Sequence, residues 1–340
     1  MTFATKLAAC GTSWLLLVSA TADTQRQVAP GASPIAFASH RDGNWEIYVA
    51  DGNGRNQARL TSRNGHTRFP LWSPDRSQIA FATQRGGAGE GWDFWVMSAD
   101  GTNSRRLSSG LVGKSHREWS RDGRRIAFTA EIDGNVDVYV AEVASGRLTR
   151  LTTSAAEDRD PTWSPDGARI AFSSERDGNR EIYVVRPDGT DSRRLTNSTS
   201  KDASPVWSPD GSRIAFVSDR DGSSEVYVMD AGGSSLERLT NGGHSSSDPP
   251  RWSPDGSHIA FQVADQGRYD IGVVSARERQ QRIVVATPHN DGSYTWSPDG
   301  NELAYISGPG GRETLHAVNV RTNKSRQLTT TWSLTPDWSR

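Results

Sequence analysis

The sequence predicts an all-β fold, a seven-bladed β-propeller, and three observations carry that prediction. The phrase W-S-P-D-G stands at Trp163, Trp207, Trp252 and Trp296, and with one substitution each at Trp72 (Arg76 for the glycine) and Trp119 (Arg121 for the proline). Successive tryptophans, ending at Trp338, are separated by 47, 44, 44, 45, 44 and 42 residues. Within each interval four short apolar segments recur. A period in the forties with strand-like content is the mark of one propeller blade per repeat.

The elements of one repeat follow in order. An inner strand ends at Trp207. Ser208-Pro209-Asp210-Gly211 then supplies Ser, Pro and Gly at the positions a tight turn favours. Ile214-Ala215-Phe216 opens the second strand. In the repeat that starts at Trp163, the third strand is Glu181-Ile182-Tyr183-Val184 and the outer one Arg194-Leu195-Thr196, with Asp177-Gly178 and Asp188-Gly189 at the turns. The strands read as apolar triplets without strict alternation, as expected where blades stack and bury both faces.

Counting strands fixes the number of blades. The I-A-F strand occurs at Ile35, Ile79, Ile126, Ile170, Ile214 and Ile259 and, as Leu-Ala-Tyr, at Leu303, so it and the Trp strand each occur seven times. The chain enters at Ile35 with a second strand and leaves at Trp338 with a first strand. The two ends therefore complete one shared blade, which removes the open sheet edge. Six blades is the alternative, if the degenerate repeat around Leu315 fails to form.

Composition bounds the function. The chain has 340 residues and a formal net charge of −1, with arginine far outnumbering lysine. No basic block argues for nucleic acid or an anionic membrane surface. Residues 1–22 read as a secretory signal peptide: Lys6, an apolar run from Leu7 to Val18, then Ala20-Thr21-Ala22 at the cleavage site. A lipobox reading of Leu7-Ala8-Ala9-Cys10 is the rival, though its apolar run mostly follows the cysteine. Residues 23–32 form a short linker and 33–340 the propeller. With Cys10 removed, no thiol remains and stability rests on packing.

W-S-P-D-G-x-x-I-A-F, followed by S-x-R-D-G-x-x-E-I-Y-V and R-L-T, resembles the repeat of the propeller domain of TolB, the periplasmic component of the Tol-Pal envelope system. Similar repeats occur in oligogalacturonate lyases and in the non-catalytic propellers of prolyl-oligopeptidase-like peptidases. The resemblance spans essentially the whole expected mature chain. It implies a periplasmic or secreted, non-catalytic recognition module for an envelope protein, a lipoprotein or a polysaccharide, acting as a monomer. TolB resembles a six-bladed propeller behind an α/β domain, whereas residues 23–32 alone separate leader and first strand here.

No Gly-x-Ser-x-Gly elbow, phosphate loop or His-Glu-x-x-His helix is present. Asp75, Asp122, Asp166, Asp210, Asp255 and Asp299 read as turn residues. Arg41 with Glu46, Arg85 with Asp93, Arg176 with Glu181 and Arg220 with Glu225 read as ion pairs across the hairpin between second and third strands. The connectors before each Trp open on the channel mouth, and there stand His66, His116, Asp158, Arg159, Asp160, Asp202, His244, Asp248, His289 and Asp291. Asp158, Asp202 and Asp291 each lie five residues before their Trp, so ring symmetry predicts that they converge. With Asp248 they form a candidate cation site, for calcium through oxygen alone, or for manganese or zinc if His66, His116, His244 or His289 reach in. The alternative function is a metal-assisted lyase on acidic oligosaccharides, with a histidine as base and Arg159, Arg117 and Arg251 as a basic subsite.

Overall fold

A computed structural model describes residues 33–84, 91–111, 116–243, 248–265 and 267–339, and these form 28 strands and no helix. The strands make seven four-stranded antiparallel blades, the second and third joined into one ladder where Leu111 meets Ala130. Leu315, in the repeat that raised the six-bladed alternative, is fully buried in a regular third strand, Thr314–Asn319. No helix among the described residues is long and apolar enough to cross a membrane.

The repeated words explain the blade. Ile170, Ala171 and Phe172 are all fully buried, and Phe172 lies opposite Tyr183 with the two rings 5.7 Å apart. The same Phe/Tyr stack recurs in the Phe37/Tyr48, Phe128/Tyr139 and Phe216/Tyr227 pairs. Cores form between blades: Val138, Val140 and Leu151 of the third pack against Trp163, Ile170 and Phe172 of the fourth. Each buried Phe contributes on the order of 1.5–3 kcal/mol, so the ring is held by its seams.

The Asp of each W-S-P-D-G phrase serves the turn, as expected. Asp210 accepts hydrogen bonds from the Ser208 hydroxyl (2.6 Å) and the Ser212 amide (3.0 Å), and Gly211 adopts the left-handed φ of 73° that the turn needs. The Ser208 hydroxyl, then the Ser212 amide, hold the Asp210 carboxyl down at about 2.

Inner strands share an irregularity that the sequence reading did not anticipate. Three residues before the Trp, Phe69, Asp160, Ser204, Ser293 and Thr335 all have φ between 47° and 59°, and the pairing with the second strand shifts there. Each is a β-bulge carried by a non-glycine residue in the left-handed region.

The first blade is assembled from both ends of the chain. Its strands are Ile35–Ser39, Glu46–Ala50, Ala58–Arg59 and, on the channel side, Ser333–Trp338. Ile35 pairs with Trp338 and Ser39 with Ser333.

Candidate functional site

The R-L-T threonine of the outer strand organises the loop face of four blades. Thr61, Thr152, Thr196 and Thr240 accept a hydrogen bond from the amides of Ile47, Val138, Ile182 and Val226 at 2.9–3.0 Å. Each donates in turn to the first acid of the third strand: Glu46, Asp137, Glu181 and Glu225, at 2.5–2.9 Å. These acids are buried, and burial of a carboxylate requires such donors.

Their arginine partners correct the sequence reading. Glu46, Asp137, Glu181 and Glu225 pair with Arg59, Arg150, Arg194 and Arg238 of their own outer strands, and Asp93 with Arg106. Arg176 and Arg220 point the other way. Arg176 sets Nη2 at 3.1 Å from both oxygens of Asp158, and Arg220 sets Nη2 at 2.9 and 2.8 Å from those of Asp202. Arg41 folds over the Tyr48 ring, 4.3 Å from its centroid. Each of these arginines stands just past the end of the second strand, whereas the third strand directs its acid toward the outer strand. Arg85 lies outside the described residues.

This arrangement also decides where the expected cation ligands go. Asp158, Asp202 and Asp291 are fully buried inside their own blades. Asp291 accepts the Thr287 amide (3.0 Å) and hydroxyl (2.9 Å), and Asp248 accepts the Ser293 amide at 2.6 Å. Burial lifts the carboxyls of Asp158 and Asp202 above their usual range, against the pull of Ser174 and Arg176 and of Ser218 and Arg220. The repeat thus sets these carboxylates in three separate blades, each turned to its own donors. Among the described residues no three His, Cys, Asp or Glu side chains are placed to hold a metal ion, so the donors present do not fit one.

The histidines are scattered as well. His289 stands on the connector after the sixth blade, where its amide donates to the Thr287 hydroxyl at 3.1 Å. His116 lies beside Arg117 at the third blade, and His244 lies outside the described residues. Arg159 is engaged by Glu157 at 2.8 Å, which raises its pKa.

His66 joins a cluster that the sequence reading missed. On the loop face of the first blade Trp45 packs edge-on to Trp332 with centroids 4.6 Å apart. His40 lies 5.4 Å from Trp45, 5.2 Å from Trp332 and 6.5 Å from His66. Arg68 lays its guanidinium 4.4 Å from the Trp45 centroid and has no ion-pair partner among the described residues. The cluster continues on the second blade, where Phe69 packs edge-on to Trp92 at 5.4 Å and carries Arg117 at 4.9 Å. Burial, then the neighbouring Arg68 and His40, lower the pKa of His66. Trp45 is 2% exposed and forms the floor, while His40, His66, Arg68, Phe69, Trp92 and Trp332 are partly open. Flat rings beside guanidinium groups bind ligands by stacking and by directed donors. The signal was a break in the repeat: Trp45 stands where later units have Arg180 or Ser224, and Trp332 where they have Glu157 or Lys201.

Comparison with known proteins places this geometry in a family. The family model described as TolB beta propeller domain matches residues 96–250 and 243–340. No curated protein matches the chain. Among solved structures, TolB from Acinetobacter baumannii superposes with a TM-score of 0.60 at 20% identity, over 90% of this chain and 66% of that one. An oligogalacturonate lyase in complex with manganese gives 0.70 at 17% identity, over 85% and 86% of the two chains. An oligogalacturonate lyase from Vibrio parahaemolyticus gives 0.70 at 15%, over 84% and 86%. This chain thus spans under two thirds of that TolB, and identities at this level speak for the fold. The match over most of the sequence, with the seven repeated blades, makes this chain a member of the TolB beta propeller domain family.

Proposed function

We propose that the protein is a non-catalytic recognition module, periplasmic or secreted, that binds an envelope protein or envelope polymer through its loop face. The observation that supports this reading is the aromatic and guanidinium cluster of His40, Trp45, His66, Arg68, Phe69, Trp92 and Trp332 at the mouth. Large rings and arginine are the side chains that dominate recognition surfaces. Membership of a TolB-type family accords with it, since a partner-binding role needs no reacting group in the channel. The lyase reading draws on likeness to oligogalacturonate lyases, one of them solved with manganese. For this chain the calcium or manganese of that reading finds no donor set among the described residues.

Affinity capture from an envelope extract, run beside an assay for unsaturated uronate product, tests the proposal. We expect the parent chain to recover a partner without forming product, and Trp332→Ala to lower recovery at least tenfold, as loss of a central aromatic anchor does. Product formation, or undiminished capture by a folded Trp332→Ala protein, overturns it.

A further inference from the structure

The acid that opens the third strand is held by a set of donors in the first, third, fourth and fifth blades, and in the sixth it keeps none of them. By register Asp270 stands where Glu46, Asp137, Glu181 and Glu225 stand, opposite the end of the second strand. It is 5% exposed, and its Oδ1 is buried with no hydrogen-bond partner. The outer strand explains the loss. Ile283, opposite Gly272, takes the place of Arg238, opposite Tyr227, and Val285 takes the place of Thr240. The Thr287 amide, which corresponds along the chain to the Gly242 amide on Glu225, donates to Asp291 instead. Neighbouring arginines do not replace the missing one. Arg268 turns to Asp265 at 3.3 Å and to the Thr287 carbonyl at 3.4 Å, and Arg282 to the Asn323 side chain at 2.9 Å and to the Val320 carbonyl. In the seventh blade acid and arginine are both gone, and Gln327 donates to Thr314 at 3.2 Å in their place. The sixth blade has lost the arginine and kept the acid.

We propose that the sixth blade carries a binding site for a guanidinium group, the side chain of an arginine on a partner protein, with Asp270 as its carboxylate and Ile283 as the apolar wall beside its stem. The other blades supply the template. There the outer-strand guanidinium of Arg59, Arg150, Arg194 or Arg238 lies 2.5–3.2 Å from the acid while its side chain stays 28–36% exposed, so the same place is reached from solvent. Ile283, shorter and uncharged, leaves the head-group position to a ligand and is itself 39% exposed. A guanidinium fork matches a carboxylate with two parallel donors, and its methylene stem lies along apolar surface. A carboxylate buried without donors is costly, and a cation from outside the chain offsets that cost. Burial raises the Asp270 pKa, with Arg268 opposing it and Asp291 and Asp265 adding to it, whereas at Glu225 the donors outweigh burial.

The site goes beyond the loop-face reading and does not rest on the aromatic cluster, which belongs to the first two blades. It is tested without the partner. The parent chain is melted in rising Nα-acetyl-arginine methylamide, with the uncharged citrulline counterpart and sodium chloride at matched ionic strength as reference, and the lysine counterpart as a third arm. We expect the arginine probe alone to raise the melting temperature with concentration, as mass action requires of a ligand that binds the folded state. Asp270→Asn, which keeps the shape and removes the charge, should bind the probe at least about tenfold more weakly, the loss expected for one charge-assisted contact. Ile283→Arg supplies the missing group from the chain itself, so this protein should melt higher than its parent without probe and lose the response. Superimposed arginine and citrulline curves, an equal response to the lysine probe, a response that survives in Asp270→Asn or Ile283→Arg, or an Ile283→Arg protein no more stable than its parent would overturn the site. Trp332→Ala should leave arginine binding intact, so failed partner capture and failed arginine binding remain distinguishable.

Discussion

At Glu225, one buried side chain holds a loop of the channel mouth in place. It is 1% exposed and accepts the Thr240 hydroxyl (2.6 Å), the Gly242 and Gly243 amides (3.0 and 3.1 Å), the Ser223 hydroxyl (3.0 Å) and Arg238 (2.9 Å). Burial pulls its pKa up, but Thr240 and the two amides pull harder, and it ends below the usual glutamate value. A carboxyl whose pKa falls on folding adds stability above its unfolded value, near 4.3, and that contribution is lost as pH falls through the folded one. Glu225→Gln places an N–H among donors and should cost about 2–3 kcal/mol at neutral pH, where denaturant melts read it directly. Below about pH 4 the gap between parent and variant should shrink, because protonation has by then removed the same charge. A gap that stays constant from pH 7 to pH 3 would show that the charge contributes nothing. Little of this was legible in the sequence. The repeat showed that Arg176 and Glu181 recur together, yet in the fold they turn to different partners, because a strand alternates its side chains and a turn does not.

The inner strand is the element whose irregularity shapes the channel. Its bulge could not be read from residue type, since Phe69, Asp160, Ser204, Ser293 and Thr335 share no chemistry, and only the pairing register displays it. Turns and triplets were legible for the opposite reason: their residues are chosen by the local backbone and repeat with it. The loop-face aromatics fell between these cases, because they interrupt the period and come together only when the ring closes. At Ser204, with φ of 53°, glycine relieves the left-handed strain, while a β-branched side chain adds to it. Ser204→Gly should be neutral or stabilising by up to about 1 kcal/mol, and Ser204→Val destabilising by about 1–2 kcal/mol, in thermal melts of the two proteins. The reverse order would mean that the bulge is not retained in solution.

The whole molecule depends on its seam. Removing residues 332–340 deletes the Ser333–Trp338 strand, the Trp45/Trp332 contact and the Asp337 acceptor for the Trp72 amide. Ile35–Ser39 would then be an open edge, and calorimetry with light scattering should record a large fall in melting temperature or aggregation. A truncated protein that melts like its parent and stays monomeric would contradict closure by the two ends. The same seam sets how the ring can be held. The Trp338 indole donates to the Ser33 carbonyl at 3.0 Å, and the Ser339 amide to the Pro34 carbonyl at 3.0 Å. Ser33 and Trp338 share a cleft with Ser297, Pro298 and Asp299, the residues of a W-S-P-D-G turn. Both ends of the described chain therefore leave side by side from the turn face, opposite the aromatic mouth. A tether at either end, whether a lipid, a linker or a fused domain, would act as a stalk beneath a dish and leave the aromatic mouth pointing away from whatever surface it is fixed to.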